Sequence, residues 1–157
     1  MKRTVEALRE LGVPGQAREL PEPAPTAATA AAQLGCEIGA IANSLVFAAG
    51  GEPLLVLTSG AHRVDTRRIA ALLGIGVKKV RRADPDFVIK VTGQLVGGVA
   101  PVGHPAPIRT LVDTWLGRYE VVWAAAGEAS WVFPTSVDEL VRITGGTLTD
   151  VGEDLKV

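Results

Sequence analysis

Four consecutive apolar residues, Leu54-Leu55-Val56-Leu57, constrain the fold more than any other stretch of the chain. A strand with one wet face alternates apolar and polar residues, because successive side chains point to opposite sides. A continuous run has no wet face and predicts a strand covered on both sides. The chain therefore needs a sheet with packing layers on two faces. With 157 residues it has the length for that, since a chain of this size buries roughly 70% of the surface it exposes when unfolded, without a disulfide or metal staple. Aromatic residues make up only 4%, so the core has to be assembled mainly from Val, Leu, Ile and Ala.

Helix boundaries around that strand are marked by capping residues. Thr4 to Leu11 spaces Val5, Leu8 and Leu11 three apart before Gly12 and Pro14, which predicts a short amphipathic helix. Pro21-Glu22-Pro23-Ala24-Pro25 excludes helix and central strand and reads as an extended connector. Thr26 can cap a helix over Ala27 to Leu34 that Gly35 stops. Asp65 can cap one from Thr66 to Leu73 that buries Ile69, Leu72 and Leu73 and ends at Gly74. Asp84 with Pro85 opens another, ending near Thr92-Gly93. Ser136-Val137-Asp138-Glu139 has the capping-box pattern and opens a helix with Val137, Leu140, Val141 and Thr144 on one face.

Strands are predicted at Glu37 to Phe47 and Pro53 to Leu57, joined as a hairpin, and at Ile108 to Val112, Glu120 to Trp123 and Ser130 to Phe133. Strands and helices interleave without a regular βαβ rhythm. That predicts an α+β domain over residues 1–157, a curved, barrel-like mixed sheet flanked by short helices.

Composition removes several functions. Sixteen Lys+Arg against 17 Asp+Glu give a formal net charge of -1, whereas proteins that coat nucleic acid through phosphate contacts are strongly basic. A DNA partner is not expected, but a grip on one small end of a nucleic acid remains open. Cys36 is the single cysteine and lies in an apolar context, so it reads as a buried structural thiol. The charged amino-terminal segment is no signal peptide, and the longest nearly apolar stretch, Ile38 to Ala49, is too short to span a bilayer. A cytoplasmic protein with no membrane partner is expected. Two histidines without metal-ligand spacing predict no metal site, and there is no Gly-x-Ser-x-Gly elbow, Walker loop or dinucleotide fingerprint.

Two local features carry chemistry. In Gly97-Gly98-Val99-Ala100-Pro101-Val102-Gly103-His104-Pro105, glycines let backbone N–H groups approach a ligand, and the turn can present amides to an oxyanion. The same sequence also suits a tight structural loop. Asn43-Ser44 places adjacent polar side chains on an apolar strand, so one of them must enter the apolar side. A ligand could satisfy it, or a neighbouring backbone group could. The basic residues Arg63, Arg67, Arg68 and Lys78-Lys79-Val80-Arg81-Arg82 read first as a solvated face and second as phosphate contacts. His104 reads first as a structural hydrogen-bonder, and Trp115, Trp123 and Trp131 read as core or rim packing.

The order of these motifs resembles the YbaK/EbsC family, free-standing relatives of the editing domain in bacterial prolyl-tRNA synthetases. The matching stretches include Ala30 to Cys36, Asn43-Ser44-Leu45-Val46-Phe47, Leu54 to Gly60 and Arg63-Val64-Asp65. They continue with Thr92-Gly93, Gly97 to Gly103, Val112-Asp113, Ala125-Ala126-Gly127 and Asp138 to Gly145. The resemblance covers about residues 25–151. It implies a trans-editing aminoacyl-tRNA deacylase that hydrolyses the ester of a mischarged tRNA without metal or cofactor. The implied partners are the acceptor end of an aminoacyl-tRNA and an aminoacyl-tRNA synthetase.

Carried onto this chain, the resemblance makes Asn43, Gly97 and Gly98 the catalytic positions. Val99, Pro101, His104, Asp113 and Gly127 become substrate-binding positions. The chain departs from the family at Asn43, where a Lys is usual, so a neutral side chain replaces a point charge. The rival reading is therefore a non-catalytic module that binds an aminoacylated tRNA end or an amino-acid-like ligand.

Overall fold

The computed structural model describes residues 1–154; residues 155–157, the end of the expected 1–157 domain, lie outside the described residues. In chain order the elements are α1 (Lys2–Glu10), β1 (Arg18–Glu19), α2 (Ala27–Leu34), β2 (Ile41–Ala49), β3 (Glu52–Ser59), β4 (His62–Val64) and α3 (Thr66–Leu73). They continue with β5 (Val80–Arg82), α4 (Pro85–Thr92), β6 (Arg109–Asp113), β7 (Val122–Ala125), β8 (Trp131–Thr135), α5 (Val137–Thr144), β9 (Thr147–Thr149) and β10 (Gly152–Asp154). Short 3-10 turns precede β2, at Ile38–Ala40, and β5, at Val77–Lys79, and a third, Thr114–Arg118, follows β6.

The helices start and stop where their caps are written. Thr26 and Thr29 satisfy each other's backbone N–H groups ahead of α2. The Asp65 carboxylate accepts the Arg67 N–H, Asp84 accepts that of Phe87, and the Ser136 hydroxyl accepts that of Glu139. Each of these four helices ends on a left-handed glycine: Gly35, Gly74, Gly93 or Gly145. Glu139 does not return the bond to Ser136, because its carboxylate accepts from the Thr135 hydroxyl at 2.7 Å.

The strands form a curved mixed sheet in the order β1-β8-β7-β2-β3-β6-β9, with β5 added to β2. Pairing is antiparallel for β2 with β3 and β7 with β8, and parallel for β2 with β7 and β3 with β6. β3 lies inside this sheet, and Leu54 to Leu57 are at most 1% exposed. Leu55 and Leu57 pack with Val88, Leu116, Phe133 and Leu140, while Leu54 and Val56 pack with Phe47, Ile69, Val80 and Leu111. The two-sided cover demanded by the apolar run is thus supplied by two distinct layers. Burying each such side chain contributes about 1.5–3 kcal/mol.

Three expectations shift. Leu72, assigned to the buried face of α3, is 46% exposed, because the helix buries Ile69 and Ala70 instead. In α1 the buried residues are Thr4 and Leu8, while Leu11 lies on the surface. The strand expected from Glu37 begins only at Ile41, because Ile38–Ala40 form a 3-10 turn, within which a Cβ on Gly39 would clash with the Tyr119 hydroxyl. The ribbon of β4 and β10 had no signal in the sequence pattern.

Candidate functional site

One edge of β2 is paired to β3 from Ala42 to Ala49. The other edge pairs with β7 only at Ile41 and Ala42, and with β5 only from Phe47 to Ala49. Residues 43–46 between these pairings have no partner strand on that side, although the Val46 carbonyl accepts the Ala83 N–H at 3.0 Å. A cavity of about 650 Å³ opens at this gap. Its wall includes Asn43 and Ser44 of β2, Val88 of α4, Gly97 and Val99 of the following loop, and Trp123 and Trp131 from the β7–β8 pair.

Asn43 and Ser44 leave the strand on opposite faces, as an extended backbone requires. Their neighbours show it: Ala42 and Val46 join one packing layer, Leu45 and Phe47 the other. Both residues still line the cavity, because the opening lies at the strand's edge rather than over one face. The Ser44 hydroxyl is buried and has no hydrogen-bond partner among the described residues. Leaving such a group unmet costs about 1–3 kcal/mol.

The glycine loop presents a selected set of amides. The Gly98 N–H donates to the Leu95 carbonyl at 3.0 Å and closes a turn in which Gly97 has φ +95. The Ala100 N–H donates to Gln94 Oε1 at 2.8 Å, and Pro101 has no N–H. Within residues 97–101, only the Gly97 and Val99 N–H groups stay without a partner among the described residues, and both residues line the cavity. Gly98 is a wedge instead: a Cβ there would lie 2.7 Å from the backbone of Glu128 and Ala129.

The remaining sequence-predicted positions lie elsewhere. Pro101 and His104 face a separate recess of about 270 Å³ beside α1 and α5. His104 Nε2 donates to the Ala100 carbonyl at 2.8 Å, and burial pushes its imidazole below the ordinary value of 6.5. Asp113 is fully buried. One of its oxygens takes the Ser59 N–H at 2.9 Å and His62 Nδ1 at 2.8 Å, and the other takes the Trp115 N–H at 3.0 Å. Gly127, at φ +107, lies where a Cβ would meet Met1 and Thr4. Cys36 is half-buried, and burial raises its thiol pKa, in keeping with a structural thiol.

The sequence reading gave no site role to four side chains that line the cavity: His62, Arg82, Trp123 and Trp131. Arg82, read as part of a solvated basic face, borders the cavity, with its guanidinium 5.7 Å from the Phe47 ring centre. It is the only Lys, Arg, Asp or Glu of the wall among the described residues. Trp131 was read as packing, yet it borders the cavity as well, from the same face of β8 as Phe133. The alternation Trp131-Val132-Phe133 carried that signal.

The profile of the aminoacyl-tRNA editing domain matches residues 21–143. The chain belongs to the aminoacyl-tRNA editing domain family. Among relatives of this editing domain, the Bacillus subtilis protein YwhH, itself uncharacterised, is 28% identical over 116 residues, covering 73% of this chain and 72% of YwhH. The proline–tRNA ligase of Geobacter sp. strain M21 is 34% identical over 96 residues, covering 60% of this chain but only 16% of the ligase. A crystal structure of a candidate trans-editing enzyme for prolyl tRNA synthetase superimposes with a TM-score of 0.90 at 37% identity, covering 97% of this chain and 96% of that one. Among the described residues, no helix is long and apolar enough to cross a membrane.

Proposed function

We propose that this editing domain is a deacylase, acting in trans on a mischarged tRNA by hydrolysing the ester between amino acid and terminal ribose. The observation that carries the reading is the cavity at the unpaired edge of β2. There three residues line one space: Ser44, whose hydroxyl has no partner among the described residues, and Gly97 and Val99, whose N–H groups have none either. Ester hydrolysis turns the carbonyl oxygen into an oxyanion in the transition state. Preorganised N–H donors in a site shielded from water stabilise that charge, each worth about 10²–10³ in rate. Gly97 and Val99 fill this role in the proposal, while Asn43 and Ser44 orient the ester and the attacking water. Water adds to the carbonyl carbon, the bond to the ribose oxygen breaks, and that oxygen leaves with a proton. The 37% identity to a candidate trans-editing enzyme over nearly the whole chain supports the same reading.

A second reading, binding without hydrolysis, is favoured by one observation: Asn43 contributes no charge to the cavity. The two part on a panel of mischarged tRNAs assayed with wild type, Asn43→Lys and Asn43→Ala. The deacylase reading expects wild type to release an amino acid from at least one tRNA and Asn43→Ala to lose at least tenfold in rate. Wild type at the blank rate across the panel, with activity appearing only in Asn43→Lys, would establish the binding module instead.

A further inference from the structure

Gln94 is almost fully buried and does not line the cavity. Its amide is used at both ends. Oε1 accepts the Ala100 N–H at 2.8 Å, and Nε2 donates to the Thr4 hydroxyl at 2.8 Å. That hydroxyl, wholly buried on α1, donates in turn to the Val102 carbonyl at 3.3 Å. The seat for Thr4 is cut into the backbone: a Cβ on Gly103 would lie 2.7 Å from Thr4 Cα, and one on Gly127 would lie 2.9 Å from Thr4 Oγ1. At its other end Gln94 is fixed to α4, where its N–H donates to the Thr92 hydroxyl at 3.0 Å.

These bonds sort the amides of the loop. Of three successive N–H groups, Gly98 is committed to the Leu95 carbonyl and Ala100 to Gln94, which leaves Val99 between them for the cavity. The Gly97 amide depends on the local turn alone, whereas that of Val99 depends on a bond formed one residue later by a side chain from outside the loop. We infer that Gln94, backed by Thr4, is a positioning residue that sets the Val99 N–H in the cavity wall. On this account α1 is part of the site although no residue of it lines the cavity. The inference rests on the proposed use of the cavity for an aminoacylated tRNA end.

The test needs no turnover. A hydrolysis-resistant aminoacyl-adenosine, with an amide in place of the ester, is titrated into ¹⁵N-labelled protein while backbone amide signals are followed. In wild type the Gly97 and Val99 signals both move. In Gln94→Leu the Val99 displacement falls at least threefold while that of Gly97 persists. Thr4→Ser behaves as wild type and Thr4→Val as a weaker Gln94→Leu, which keeps the test available should Gln94→Leu fail to fold. Equal Val99 displacement in wild type and in every folded variant that breaks the chain of bonds overturns the inference. So does a wild-type Val99 that stays still while the rest of the cavity responds, an outcome that leaves the deacylase reading standing. A wild type with no displaced signal at all, across analogues of several amino acids, overturns both.

Discussion

Ser44 lines the cavity and holds a buried hydroxyl that has no partner among the described residues. A serine kept only for packing would be better replaced by alanine, so the two roles separate in a single variant. Ser44→Ala is expected to leave the thermal midpoint unchanged or slightly raised, because no internal bond is lost and a buried unmet group is removed. Deacylation is expected to fall about tenfold, the size of one lost hydrogen bond in the transition state. Unfolding followed by circular dichroism and a single-turnover assay measure the two halves. Asp113 shows the opposite case. Its oxygens are taken by Ser59, Thr58, His62 and Trp115, and of these His62 lines the cavity.

At the scale of elements, α4 matters most, since it brings Val88 to the cavity and ends in the Thr92 that anchors Gln94. Its start depends on Asp84, whose carboxylate accepts the Phe87 N–H at 2.8 Å. Asp84→Ala is expected to lower stability by about 1 kcal/mol, with Asp84→Asn restoring most of it, as read from urea midpoints. Caps of this kind are local, which is why α2 to α5 could be placed from the sequence to within a residue. The gap in β2 was not legible in the same way. It exists because β7, some eighty residues later, pairs for only two residues before the strands part, and β5 rejoins five residues on. The link from Gln94 to Thr4 spans 90 residues and left no periodic mark. Asn43, Gly97 and Val99 were legible because a polar pair in an apolar strand and a glycine-rich turn are features of neighbouring residues.

For the molecule as a whole, the formal net charge is -1, and Arg82 is the only Lys, Arg, Asp or Glu at the cavity among the described residues. Global stability carries a pH dependence from His104. Burial lowers its folded pKa below 6.5, so on acidification the unfolded chain takes up this proton first. More protons on the unfolded state mean that stability falls as pH falls. The contribution is fully present above about pH 6.5 and is lost as pH drops toward the folded pKa. Denaturation at a series of pH values is expected to show this decline, and His104→Asn is expected to flatten it in the window just below 6.5.

The interrupted pairing of β2 also acts as a filter of length. An exposed strand edge invites any extended peptide to anneal to it, a hazard that proteins otherwise suppress with charge, proline or cover. Here residues 43–46 lack a partner strand, apart from the bond that the Val46 carbonyl accepts from Ala83, and the gap is closed at either end by β7 and β5. At roughly 3.3 Å per residue, that is a slot of about 13 Å. A longer strand cannot pair along its whole length there, because the stops lie only four residues apart. The same edge can therefore offer backbone and side-chain polar groups to a small guest without becoming a seed for aggregation.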